Sequence, residues 1–193
     1  MPPKARITRD MILDAAFDLV RAEGHEALNV RTLAKRLGCS TQPILYNFAA
    51  VEELKDAVYQ RADEFHTAYI LPKGGEGADA LLELGLNYVR FGHGEKHLFR
   101  FLFESDRFGG MDFKGLLRWP GSDELVAILA EALGCPAAEA EKLFMTFFAV
   151  AHGLASLLCN NAMEYDETEC AAMLETVFNG ALAALTSKGE EYA

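Results

Sequence analysis

The 193-residue sequence carries little that would stiffen it covalently or break its helices. Its four cysteines, Cys39, Cys135, Cys159 and Cys170, fall at no paired spacing. This argues against a disulfide framework and a Cys-based zinc site and points to reduced thiols. Only six prolines interrupt the chain, so long helices can run unbroken. No stretch alternates apolar and polar residues at period two for long enough to make a strand. There is no glycine-rich phosphate loop, nucleophile–base motif or positioned acid–base pair, so the expectation is that the protein is not an enzyme. No cofactor is implied. A signal-peptide pattern is lacking at the N-terminus, and the expected compartment is the cytoplasm. With 18 Lys/Arg against 29 Asp/Glu, the net charge of −11 argues against a general coat for nucleic acid. The one long uncharged run, Leu143 to Met163, covers 21 residues and matches a bilayer in length. Thr146, His152, Ser156, Asn160 and Asn161 interrupt it, so it reads as a helix buried in a protein interface.

What is present is apolar residues at helical period. At 51% apolar, the chain can bury a sizeable core. Ile12, Ala15, Ala16, Leu19 and Val20 form one stripe between a capping Thr8 and Gly24. Leu54, Val58, Ala62 and Phe65 form another from Val51 onward, and LPKGGEG at Leu71–Gly77 is the clearest break. Helices are expected over Ala78–Phe91, Lys96–Glu104, Asp123–Leu133, Ala137–Asn160 and from about Glu169 to Ser187, with Gly92-His93-Gly94 as a turn and a short helix possible at Phe113–Trp119. The expected fold is all-α, with about nine or ten helices: residues 1–50 a head, 51–70 a connecting helix and 71–193 a helical body.

The head is organised around Val30 to Phe48. Val30, Leu33, Ala34 and Leu37 give a short amphipathic helix that Gly38 stops. Ser40 is placed to cap a second helix, over about 40–47, with Pro43 in its first turn. Ile44, Leu45 and Phe48 would hold that helix down, leaving Thr41, Gln42, Tyr46 and Asn47 outward. This is the layout of a helix-turn-helix, whose second helix enters a DNA major groove. Thr41, Gln42 and Pro43 suit base edges, with Gln42 able to make two hydrogen bonds to adenine. Ser40, Thr41 and Tyr46 suit phosphates, and Arg31 and Lys35 would flank them. Lys4, Arg6 and Arg9 form a basic arm. Residues 1–48 carry a net charge of +2 and the remainder −13, a separation expected of a DNA-reading head on an acidic body.

These residues also carry a resemblance. Ile12, Ala16, Leu19 and Gly24, then Leu33-Ala34, Leu37-Gly38, Ser40, Leu45-Tyr46, Phe48 and Glu53-Leu54, occur in the order and spacing of the tetracycline-repressor (TetR, AcrR-like) family of bacterial transcription regulators. Ala151-His152-Gly153-Leu154 looks loosely like the His-Gly segment of one C-terminal subgroup, with Phe148 where a Trp usually stands. The family's usual phosphate-gripping Lys at the start of the fourth helix is Val51 here, and Lys55 stands one turn further on. The resemblance implies a three-helix DNA-binding head joined by a fourth helix to a ligand-binding and dimerisation body. It also implies a ligand-responsive regulator, expected to be a repressor, that binds a palindromic operator as a homodimer and is released by a small effector.

The body supplies residues for both remaining tasks. Phe147, Val150, Leu154 and Leu158 on one helix, with Leu174, Phe178, Leu182 and Leu185 on the last, would form a four-helix bundle across a two-fold axis. Tyr88, Phe91, Phe99 and Phe103, then Arg107, Met111, Trp119, Met145 and His152, are the expected lining of a largely apolar ligand pocket; Phe108, Phe113, Thr146 and His93 stand beside them. Each of these aromatics also suits a plain core. His93 and His97, four apart, are a conceivable metal pair, but no Cys joins them and no metal site is assigned. A second reading stays open: a dimeric helical small-molecule-binding protein whose DNA binding is weak or lost.

Overall fold

A computed structural model describes residues 7–74, 77–104, 115 and 122–190, with 185–190 as backbone only. Among these residues there are nine α-helices and no strand. They are α1 (Arg9–Glu23), α2 (Val30–Arg36), α3 (Gln42–Asn47), α4 (Val51–Ile70), α5 (Gly77–Gly94), α6 (Lys96–Phe103), α7 (Ser122–Leu133), α8 (Ala137–Asn160) and α9 (Glu167–Glu190). The all-α expectation is met. The helix expected near residues 113–119 lies outside the described residues.

The chain forms two compact units. One contains Met1–Ala68 and Glu95–Ser105, the other Tyr69–Gly94 and Asp106–Ala193. In the first, the Thr8 side chain caps α1 by accepting from Met11 N–H at 3.2 Å. Ile12, Ala16, Phe17, Leu19 and Val20 are buried along its inner face. Asn29 caps α2 by accepting from Thr32 N–H at 2.9 Å. α2 closes with two backbone bonds, Cys39 N–H to the Ala34 carbonyl and Gly38 N–H to the Lys35 carbonyl. That closure puts Gly38 at φ +64°, a conformation that penalises any residue with a Cβ.

Two expectations for α3 are corrected. Ser40 does not cap it: the helix starts at Gln42, and Thr41 holds the cap position in a helical conformation without a side-chain bond. Leu45 does not hold it down: Leu45 is 52% exposed, whereas Ile44 and Phe48 are each 1% exposed. A six-residue helix has one buried face, and Ile44 and Phe48, four apart, occupy it.

α6 packs in the first unit. Arg21 of α1 holds Glu95, just before α6, by two bonds, Nε donating at 2.8 Å and Nη2 donating to the other carboxylate oxygen. Phe101 lies between His25 and Tyr59, each with its ring centroid 5.6 Å away. The Tyr59 hydroxyl donates to the Leu102 carbonyl at 3.3 Å.

The second unit is a bundle of α5, α7, α8 and α9. Its core holds Leu81, Val89 and Phe91 of α5, Leu143, Phe144, Phe147 and Ala155 of α8, and Leu174 and Phe178 of α9. Each large side chain fully buried here contributes about 1.5–3 kcal/mol. By length and composition α8 could cross a membrane, yet its buried residues line this core. The start of α9 is pinned to α5. Arg90 donates to Glu167 at 3.1 and 2.5 Å and to the Asn87 side chain at 2.8 Å. The Tyr165 hydroxyl donates to Glu167 at 3.1 Å, and its ring stacks on His93 at 4.7 Å.

The expected turn at Gly92-His93-Gly94 is helix instead. Gly92 serves packing: a Cβ there would lie 2.7 Å from the Ala155 Cβ and 3.0 Å from the Ala155 backbone. Two helices meet backbone to backbone at that point. Gly92→Ala is therefore expected to lower stability by about 1–3 kcal/mol, more than offsetting the roughly 1 kcal/mol that Ala gains over Gly in a helix. Denaturant titration of the variant reads this; unchanged or raised stability would contradict the contact.

Candidate nucleic-acid interface

The outward face of α3 is built by elimination. Ile44 and Phe48 face the core. Gln42, Leu45 and Tyr46 are exposed, Tyr46 at 85%. Thr41 and Pro43 are half-buried beside them, and Pro43 lies in the first turn, where its missing N–H leaves no bond broken. Asn47 is half-buried, and its side-chain amide donates to the Pro43 carbonyl at 2.7 Å, so part of its capacity is used within α3. Arg31 and Lys35 of α2 are exposed, as is Ser40 in the turn. Lys55 is half-buried, 3.6 Å from Glu52 on the same helix. Lys4 and Arg6 lie outside the described residues.

Arg9, expected to add to the basic arm, makes contacts within the first unit. Its Nη1 donates to the Asn47 carbonyl at 2.5 Å, its Nη2 lies 3.0 Å from the Glu53 carboxylate, and its Cζ sits 4.0 Å above the Phe48 ring. Glu53 also accepts from Ala49 N–H at 2.8 Å. That backbone bond first, and then Arg9, hold the Glu53 carboxyl below its ordinary range. The contacts join residues 38 and more apart in the chain, and no local pattern announces them.

His66 of α4 is a further polar group in this unit that the sequence reading passed over. It is buried, with the Phe103 ring edge-on at 5.0 Å. Burial pushes its pKa down to about 4, so the folded protein holds it neutral.

The residues expected to line a ligand pocket fall in both units. Phe99 and Phe103 belong to α6 of the first unit, Phe99 fully buried and Phe103 half-buried. Tyr88, Phe91, Met145 and His152 belong to the second. There the Tyr88 hydroxyl and His152 Nδ1 lie 2.9 Å apart in a hydrogen bond, and Phe148 meets Tyr88 edge-on at 5.5 Å. Burial raises the Tyr88 pKa well above its ordinary value, keeping the phenol protonated. Phe91 is fully buried and packs on Tyr69 at 5.4 Å. Arg107, Met111 and Trp119, with Phe108 and Phe113, lie outside the described residues. His93 stacks on Tyr165 in the second unit, whereas His97 of the first faces Gly24.

Of the residues expected at a dimer interface, Phe147, Leu158, Leu174 and Phe178 are buried within the protomer. Val150, Leu154 and Leu182 are half-buried, and the Leu185 side chain lies outside the described part. Between α8 and α9 run two shallow grooves. One, of about 470 Å³, is floored by Leu143, Thr146, Thr176, Val177, Gly180 and Ala181. The other, of about 310 Å³, is floored by Val150, Ala172, Met173 and Val177. Leu157 and Met173 stand 49% and 45% exposed on these helices.

No protein-family model matches the chain. Over 78 residues it is 31% identical to the class D tetracycline repressor protein of Escherichia coli and, equally, to the class H protein of Photobacterium damsela subsp. piscicida. That stretch covers 40% of this chain and 36% of each relative, so the chain spans about a third of the length of the curated relatives it matches. Among solved structures, a TetR-like transcriptional regulator from Rhodococcus sp. RHA1 is 18% identical, with a TM-score of 0.65, over 95% of this chain and 99% of that one. The multidrug binding protein EbrR, solved with imidazole, is 23% identical, with a TM-score of 0.55, over 88% of both chains. At these identities the structural likeness is one of fold.

Neutral His66 gives the first unit an acid limit. An unfolded histidine takes up its proton near pH 6.5 and the folded one only near 4. His66 therefore leaves stability undiminished above about pH 6.5 and erodes it as pH falls toward 4, by about 3 kcal/mol in total. Urea titrations at pH 7 and pH 5 of the wild type and His66→Phe are expected to show a smaller acid loss in the variant; equal losses would refute the assignment.

Proposed function

We propose that this chain is a ligand-responsive DNA-binding repressor of the TetR family, a reading supported by the 31% identity over 78 residues and by the shared fold. In this reading it grips a palindromic operator as a homodimer and is released when a small, largely apolar molecule binds its body. The observation that carries the reading is α3. The exposed Gln42 and Tyr46, with Thr41 and Pro43 beside them, project from a short helix held from behind by buried Ile44 and Phe48. Tyr46, 85% exposed, and Leu45, 52% exposed, stand side by side on this outward face. They suit a surface laid into a groove, with Gln42 reading adenine, Leu45 and Pro43 meeting thymine methyls, and Tyr46, Arg31 and Lys35 on phosphates.

Dimerisation through α8 and α9 is supported by the two grooves, largely apolar and edged by Glu139, Lys142 and Glu169, and by exposed Leu157 and Met173 on the same helices. One reading helix is too small an interface for specificity, and two-fold pairing of half-sites supplies the rest. The effector would act through helix connections. α4 begins beside α3 and continues to Ile70, and α6, packed in the DNA-reading unit by the Arg21–Glu95 pair and the Tyr59–Leu102 bond, follows α5 directly in the chain. A ligand that prefers one arrangement of the body shifts the operator-binding population by its difference in affinity for the two. The Tyr88–His152 pair is the polar group proposed to orient that ligand. Val51, in place of a basic residue, leaves more of the backbone grip to Arg31, Lys35 and Tyr46.

A gel shift with the DNA beside the protein's own gene, at stated salt, tests the reading. Gln42→Ala and Tyr46→Ala together are expected to abolish the specific shift while leaving helix content unchanged; persistence of the shift would remove α3 from the interface. Sedimentation tests the dimer. A Cβ at Gly180 would meet nothing within 4 Å in the protomer, so Gly180→Leu is expected to yield a folded monomer. A variant that sediments as the wild type does would refute pairing through this groove.

A further inference from the structure

We propose that Arg9 is a positioning residue for DNA reading: its guanidinium, shared among the Asn47 carbonyl, the Phe48 ring and the Glu53 carboxylate, sets the angle at which α3 is presented. The inference rests on the DNA-binding reading above and adds a residue that touches no DNA.

The argument starts from the shortness of α3. Its last carbonyl groups have no partner inside the helix. Asn47 is the last residue of α3, and its carbonyl accepts from Arg9. A cation is favoured there because the helix C-terminus carries partial negative charge. Glu53 sits in the first turn of α4, where an anion is favoured for the opposite reason. Its second oxygen accepts from Ala49 N–H in the connection between the two helices. Phe48 is the residue between α3 and that connection, 1% exposed, and the guanidinium plane covers its ring. One planar cation from the first turn of α1 thus ties together the end of α3, the start of α4 and the residue that turns the chain between them. The fork geometry of arginine serves two acceptors at once, which lysine's single ammonium does not reproduce.

Arg9 and Glu53 are about half exposed, so the pair itself contributes little to overall stability. Its consequence lies in the orientation of the exposed side chains of α3, which matters only when DNA is bound. The competing account is a direct phosphate contact by Arg9, as its place next to the basic arm suggests. The two accounts predict opposite signs for Glu53. If Arg9 grips phosphate, removing the Glu53 charge frees the arginine and strengthens binding. If Arg9 positions α3, removing it weakens binding.

The experiment compares wild type, Arg9→Gln, Arg9→Lys, Glu53→Gln and the double variant R9Q/E53Q. Each is bound to the DNA beside its own gene and to mixed-sequence DNA, from about 50 to about 200 mM salt. The expected result is a loss of about tenfold in specific affinity for R9Q and for E53Q. The double variant should lose no more than either alone, and R9K should fall with R9Q. The salt dependence and the mixed-sequence affinity should match wild type, as should thermal melting. A tighter E53Q, a salt slope for R9Q lower by about one, or equal specific affinity in all variants overturns the proposal while leaving the regulator reading intact. A wild type that prefers no DNA sequence overturns both. E53Q changes no side-chain size, so the comparison holds even if R9Q fails to fold.

Discussion

The constraint on which the first unit depends is that α3 is too short to exist alone. A six-residue helix fixes several backbone dihedrals for very few internal bonds, and isolated helices of that length are unstable in water. Everything about α3 is therefore borrowed. Ile44 and Phe48 anchor it in the core, and it packs on α1 and α2. Pro43 pre-forms its first turn, the Asn47 amide closes its last, and Arg9 takes the carbonyl left at its end. The geometry proposed to be read by DNA is thus a property of α1, α2 and α4 as much as of α3.

The second unit solves a different problem. It must bury long, largely apolar helices and fix their register. Close backbone contact does part of this, with Gly92 against Ala155, and Phe147 and Phe178 lock α8 to α9 at a ring separation of 6.5 Å. A polar cluster of Arg90, Glu167, Tyr165 and Asn87 fixes the loop before α9 to α5. Among the described residues a largely apolar strip along α8 and α9, edged by Glu139, Lys142 and Glu169, stays open, and a strip of that kind is what the proposed dimer would bury.

The helices were legible because their signals are local. Thr8 and Asn29 cap as their residue types suggest, Gly38 closes α2, and the stripes of α1 and α4 bury at Ile12, Ala16, Leu19 and Val20 and at Leu54, Val58 and Ala62. Phe17 and His66 take the buried positions expected of Ala15 and Phe65. The misreadings are equally local in origin. Gly92-His93-Gly94 looks like a turn because glycine is costly in a helix, yet the helix continues because packing against Ala155 outweighs that cost. Ser40 looks like a cap, but the helix begins two residues later and leaves it exposed in the turn. Leu45 is apolar and suggests an inward place, yet the pair Ile44 and Phe48 already fills the inward face of α3.

By itself, then, the sequence determined the helical class, most helix boundaries, the helix-turn-helix and its outward Gln42 and Tyr46. These follow from periodicity, caps and breakers acting over a few residues. Only the tertiary structure decided which contacts span the chain. α6 packs with α1 and α4, Arg9 closes on Asn47 and Glu53, and His66 is held neutral in the core. Phe147 and Phe178 turn into the protomer while Leu157 and Met173 face out. Burial and long-range pairing depend on what every other helix leaves uncovered, and no window of sequence contains that information.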